Sequence, residues 1–168
     1  MPPQSVGESD IPMALLPPGP THLAVRLAHV LAMATLFGGA LLCWWLLRRA
    51  GSLEVDSSSS LDVAATYEWL FWAGGGLAGL TGVGNLGALA PAVPGPSTAW
   101  GTAFSVKLVG VLVLFLGSLV RTLGVVGLAG RDRSVPTETA HARLRSAYAA
   151  TALLLLTIVT LAEVMAHG

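Results

Sequence analysis

Four apolar runs, at about 21–47, 67–89, 99–123 and 146–167, alternate with short polar or proline-rich links. Each run approaches the ~20 residues that a helix needs to cross hydrocarbon. The first reads THLAVRLAHVLAMATLFGGALLCWWLLRRA and is closed by Arg48 and Arg49. Its opening carries a polar stripe: His22, Arg26, His29 and Met33 are spaced i, i+4, i+7 and i+11, so one helical face bears all four. The second run is rich in glycine; Gly75, Gly79 and Gly82 share a face that lets a neighbouring helix come close, and Thr81 and Asn85 form a polar pair near its end. The 90–97 link, APAVPGPS, is a break. The third run opens at Trp100 and is interrupted by Lys107, and 121–145 reads as an arginine-bearing loop. Within that loop, 122–129 is apolar enough to prolong the third helix, Pro136-Thr137-Glu138 looks like a helix start, and His141 reads as solvated.

Composition agrees with the pattern. Of 168 residues, 54% are hydrophobic and 11% charged, with a mean hydropathy of +0.72. Soluble domains carry about 25% charged residues. An all-α, integral-membrane, up-and-down four-helix bundle is therefore expected over 21–168, in contact with the lipid bilayer, behind a proline-rich extended tail at 1–20. That tail lacks the basic stretch of a signal peptide, and the apolar run after it is too long for one, so the first helix is expected to be retained. The formal net charge is zero and no basic tract points to nucleic acid. The single cysteine, Cys43, excludes an intrachain disulfide and reads as an apolar filler.

Seven of the nine Lys and Arg residues fall in the first and third links, and none in the second. The positive-inside rule then puts those links in the cytoplasm and both termini on the periplasmic or outer side of a bacterial or archaeal inner membrane. Trp44, Trp45, Trp69 and Trp72 crowd the inner half, and Trp100 marks the outer interface.

This topology gathers polar residues in the outer half. His22, Arg26 and His29 come from the first helix, Lys107 from the third, and Glu163 and His167, one turn apart, from the fourth. The inner half is expected to be almost wholly apolar. Ionisable groups inside a membrane bundle are costly and mark function or pairing. Two cofactors suit these residue types. Copper takes imidazole and thioether ligands, which His22, His29, Met33, Met165 and His167 supply. A b-type haem takes axial imidazoles, His29 or His22 with His167, with Arg26 and Lys107 near its propionates. Each residue also has a plainer role: His22 and His167 as wet interfacial groups, Arg26 as a snorkelling side chain, Lys107 and Glu163 as an ion pair, Met33 and Met165 as packing. No nucleophile–base pair or phosphate loop is present.

The segments RLAHVLAMATLFGGALL, TGVGNLGAL and TAWGTAFSVKLVGVLVLFLGSLVRTL resemble the membrane domain of the copper-resistance D (CopD) family over about residues 22–123. The matching positions are His29, Gly38, Gly39, Thr81, Gly82, Trp100, Gly101 and Lys107. The resemblance implies copper movement or handling at the bacterial inner membrane, with partners among other membrane subunits or periplasmic redox or copper proteins. Many members carry additional helices, so this chain corresponds to the four-helix core. The His–Gly-Gly and Trp…Lys pattern is also similar to HemJ-type protoporphyrinogen oxidases, although Trp44, Trp45 and Arg48 stand where that family has an Arg and a His. By architecture alone, small b-type cytochrome subunits of respiratory complexes are analogous. A haem-carrying electron-transfer subunit and a cofactor-free structural subunit are thus the alternatives to copper handling.

Overall fold

The computed structural model describes residues 19–50, 57–89, 94–129 and 138–167. They form four helices: α1 (Pro20–Arg49), α2 (Ser57–Leu89), α3 (Ala99–Ala129) and α4 (Glu138–His167). No strand occurs among the described residues. The 1–18 tail lies outside them, as do residues 51–56, 90–93 and 130–137 of the three links.

The helices outrun the apolar runs that predict them. α2 begins ten residues before 67, inside the serine run, and α4 begins eight residues before 146. α3 carries through Arg121 to Ala129, so the apolar 122–129 stretch does prolong the third helix. Polar residues end a hydrophobic window without ending a helix, because Ser, Asp and Arg remain helix-compatible once neighbours pack the turn. Helices of 30–33 residues are about 45–50 Å long at 1.5 Å per residue.

Local signals set the visible ends. Gly19 is the N-cap of α1 and Pro20 its first residue, where the missing N–H costs nothing. Arg48 and Arg49 close α1 against its negative dipole end. Thr98 caps α3, its Oγ1 accepting the Gly101 N–H at 3.0 Å. Gly101 has no room for a side chain, since a Cβ there would meet the Gly95 carbonyl oxygen at 2.3 Å.

The helices pack in sequence order around a ring: α1 against α2 and α4, α3 against α4, and α2 against α3 most sparsely. Buried positions recur at three- and four-residue steps. They are Ala32, Leu36, Ala40, Cys43 and Leu47 on α1, Leu114, Ser118, Arg121 and Val125 on α3, and Leu144, Tyr148, Thr151, Leu155 and Ile158 on α4. The outer faces are apolar too: Leu27, Leu31, Leu80, Val109, Leu123 and Leu153 are all more than half exposed. Such a surface suits hydrocarbon rather than water. α1, α3 and α4 are long and apolar enough to cross a membrane. α2 is not among them, since its glycines add length with little hydropathy.

The glycine face of α2 is used differently from the expected backbone contact. Gly75 meets the Phe115 ring of α3, Gly82 meets the His29 imidazole of α1, and nothing lies within 4 Å of a Cβ at Gly79. Close approach is instead required at Gly39 of α1, where a Cβ would stand 2.3 Å from Tyr67 Cε2. Tyr67 is held there by donating its hydroxyl to the Leu36 carbonyl at 2.6 Å. Gly39→Ala is therefore expected to destabilise the bundle by about 1–3 kcal/mol, as overpacking does. Gly38→Ala, in open space, should leave stability unchanged or raise it by up to about 1 kcal/mol through helix propensity. Unfolding titrations in detergent separate the two; equal effects would contradict the packing at Gly39.

Candidate functional site

Two polar centres stand at opposite ends of the bundle. One lies where α1 and α3 begin and α2 and α4 end, and can be called the terminal end. The other lies toward the links between α1 and α2 and between α3 and α4, the loop end.

At the terminal end, His29 projects from α1 onto α2. Its Nδ1 is 3.1 Å from the Ala78 carbonyl and 2.9 Å from Thr81 Oγ1. A carbonyl can only accept, so Nδ1 carries the proton and donates. Thr81 spends its own hydroxyl hydrogen on the Leu77 carbonyl at 2.7 Å, which leaves its oxygen as a second acceptor for the same N–H. The imidazole is thus oriented by the turn around Ala78, and its lone pair resides on Nε2. Gly82 flanks the ring, with Cε1 at 3.5 Å from where a Cβ would be. Lys107 is half-buried on α3.

The rest of the predicted set is less gathered. Met33, one turn after His29, is half-buried and packs on the core. His22, Arg26 and Glu163 are exposed, and Met165 is half-buried. The inward line of α1 runs through Val25, Ala28, His29 and Ala32, so Arg26 falls to its side. His167 ends α4, with a side chain outside the described residues. Among the described residues, no three His, Cys, Asp or Glu side chains form a group that could hold a metal ion. His29 is the predicted residue whose surroundings show a built site.

The loop end is where sequence reasoning fell short, for it is not almost wholly apolar. Glu68 of α2 and Arg121 of α3 are 4% and 3% exposed and form a bidentate pair: Nε to Oε1 at 2.7 Å and Nη2 to Oε2 at 3.2 Å. Arg121 Nη1 donates to Thr151 Oγ1 of α4 at 2.6 Å, and Thr151 passes its own hydrogen to the Ala147 carbonyl. The Tyr148 hydroxyl donates to Glu68 Oε1 at 2.7 Å, across the diagonal of the ring. Thr122 reaches Glu68 Oε2, and Trp72 Nε1 donates to Thr122 at 3.0 Å. The guanidinium carbon stands 4.5 Å from the Phe71 ring centre, 4.9 Å from that of Tyr148 and 5.5 Å from that of Tyr67. Rings on several sides give the cation quadrupole partners where water is absent.

The signal for this centre was present. Glu68 interrupts TYEWLFW inside an apolar run, and Arg121 follows directly on another. The reasoning applied to His29, that a charge within a span needs a partner, applies equally to both. His141 differs from expectation as well: it lies in the first turn of α4, half-buried, and its Nε2 has no hydrogen-bond partner among the described residues.

The fold and its two centres define a class: a four-helix bundle with an apolar outer surface and a buried ion pair, three of its helices able to cross a membrane by length and composition. Comparison with family models, curated proteins and solved structures returns no match.

Removing one member of the buried pair strands the other. Arg121→Leu is expected to cost about 3–5 kcal/mol, the usual cost of leaving a buried charge without its partner. Tyr148→Phe, which removes one hydrogen bond to a charged acceptor, should cost about 1.5–3 kcal/mol. Denaturant unfolding in detergent measures both, and a loss below about 1 kcal/mol for Arg121→Leu would place the pair in water.

Proposed function

We propose that the chain is an integral membrane protein that handles copper of the CopD kind, at a site anchored by His29. The observation that carries this reading is the placement of His29 Nδ1 against the Ala78 carbonyl and Thr81 Oγ1, which favours a proton on that nitrogen. A metal-ligating histidine characteristically donates its other ring N–H to a carbonyl or carboxylate, which orients the ring and raises its basicity. His29 does so toward Ala78 and Thr81, and Nε2 offers its lone pair on the opposite side of the ring. Met33 supplies the nearest soft thioether on the same helix face, and His22, Met165 and His167 are the remaining donors at this end. Copper(I) accepts such a low-coordinate imidazole and thioether set. Bound there, the ion would supply reversible ligand exchange rather than hydrolytic chemistry.

The proposed setting is a bacterial or archaeal inner membrane, with the termini outside. Arg48, Arg49, Arg143 and Arg145 all cluster at the loop end, which supports a cytoplasmic position for that end. The His29 end then faces the periplasm, where a soluble copper or redox protein, or a neighbouring membrane subunit, meets it.

Haem b is the second reading. Gly82 adjoins the imidazole without a side chain of its own, and half-buried Lys107 offers a cation to a propionate. Axial ligation by His29, with Arg26 as a second cation, would make the chain an electron-transfer subunit of a larger complex.

Copper(I) titration of purified protein against a chromophoric chelator tests the first reading. About one copper per chain is expected, none in His29→Ala, and an affinity reduced by about tenfold in Thr81→Val, the low end for loss of an orienting partner. Copper binding equal in wild type and His29→Ala would overturn it. A Soret band in the purified wild-type protein, lost in His29→Ala, would replace it with the haem reading.

A further inference from the structure

Two cations lie on the inward line of α3, and the bundle treats them differently. That line runs through Lys107, Val111, Leu114, Ser118 and Arg121 at three- and four-residue steps, every one of them buried or half-buried. Arg121 has the Glu68 carboxylate set against it on two bonds. Lys107 has no such partner: among the described residues, no carboxylate, hydroxyl or carbonyl meets its ammonium. Glu163, the acid that the described residues bring to the terminal end, is exposed on α4. An ammonium offers three donors and no acceptor, so only an acceptor satisfies it. Ionisable groups on the inside of a membrane bundle are paired, or mark the path of something that pairs with them. Lys107 is half-buried rather than sealed, so an incoming anion can reach it.

Across the ring stands His29. α1 and α3 do not pack on each other, yet they bring an imidazole and an ammonium to the same end of the bundle. The two are near enough for the charge of Lys107 to act on the ring. A place built for a bare cuprous ion would not keep an uncompensated cation beside it, because like charges repel strongly where water is scarce. Copper(I) carrying one soft anion is neutral, and that anion supplies the charge Lys107 lacks. We propose, resting on the copper reading above, that this end takes copper(I) as a neutral complex with one soft monoanion, a halide or a thiolate. His29 Nε2 meets the metal and Lys107 meets the anion. Imidazole and anion together give copper(I) two donors, and entry adds no net charge to the interior. Lys107 thereby acts as a filter, repelling a bare or divalent ion and accepting the neutral pair.

The test is copper(I) exchange from bathocuproine disulfonate to the chain in nanodiscs, with chloride as the probe anion and fluoride making up a constant ionic strength. Fluoride is too hard to ligate copper(I), so screening stays fixed while the soft anion varies. The exchange constant is expected to rise about tenfold between about 10 and about 100 mM chloride, one anion entering with each copper. Lys107→Leu should bind copper in fluoride alone and lose the chloride dependence, whereas Lys107→Arg should keep it. His29→Ala should take up no copper in either salt. Wild-type binding of equal strength in chloride and fluoride would overturn the proposal and leave the copper reading in place. Loss of copper from a folded Lys107→Leu would also overturn it, by making the amine itself a ligand. Wild type that takes no copper in either salt would remove the copper reading and this proposal together. The wild-type comparison decides by itself where Lys107→Leu does not fold.

Discussion

A carboxylate and a guanidinium, both removed from solvent, face each other where α2, α3 and α4 meet, and the bundle is built around satisfying them. Taking two ions out of water costs several kcal/mol each, repaid only when the geometry is good and every remaining polar atom is matched. Here both carboxylate oxygens take two bonds, and the guanidinium reaches Glu68 twice and Thr151 once. The demands spread outward from there. Tyr148 must stand across the ring from α2 to reach Glu68. Tyr67 must lie flat enough to wall the cation, so it crosses onto α1 and needs the missing side chain of Gly39. Sparse backbone packing between α2 and α3 is tolerable because side chains join them.

That arrangement divides the molecule into a clamped end and a more open one. Around Glu68 the helices are tied by directional bonds and a cluster of rings; Phe71 and Tyr148 are fully buried. Toward Gly79 and Gly82 the side chains thin out, and His29 stands oriented against Ala78 and Thr81. A bundle fixed at one end can present an imidazole at the other without a dense core around it. In the copper reading, the contacts at Nδ1 orient the ring and leave Nε2 as the donor.

Much of this was legible along the chain, and the omissions have a common cause. Apolar runs marked where each helix lies, and the buried rungs follow the three-and-four spacing of a helix face. The boundary ran short at Ser57, because hydropathy registers the solvent preference of side chains and not the continuation of backbone hydrogen bonds. The extension of α3 to Ala129 and the start of α4 at Glu138, by contrast, could be read from the chain. His29 was found by asking what a charge-capable residue does inside an apolar run. Glu68 escapes a local reading because a single carboxylate among Tyr67, Trp69 and Trp72 has no partner within its own stretch. Arg121 was read as a loop residue because a cation at the end of a span ordinarily snorkels to water. Pairing between distant segments is invisible to a local window: the two residues are 53 positions apart. His22 and Arg26 share a stripe with His29, yet both are exposed, since a common helical face does not guarantee a neighbour to face.

The most direct test of the clamp is a double-mutant cycle on its two ions. Unfolding free energies of wild type, Glu68→Leu, Arg121→Leu and the double variant in one detergent give the coupling energy without partitioning either single effect. A desolvated, mutually dependent pair predicts a coupling of about 2–3 kcal/mol or more, with the double variant no less stable than the weaker single. Additive losses, with coupling below about 0.5 kcal/mol, would contradict it, because side chains that do not sense each other cannot hold three helices together.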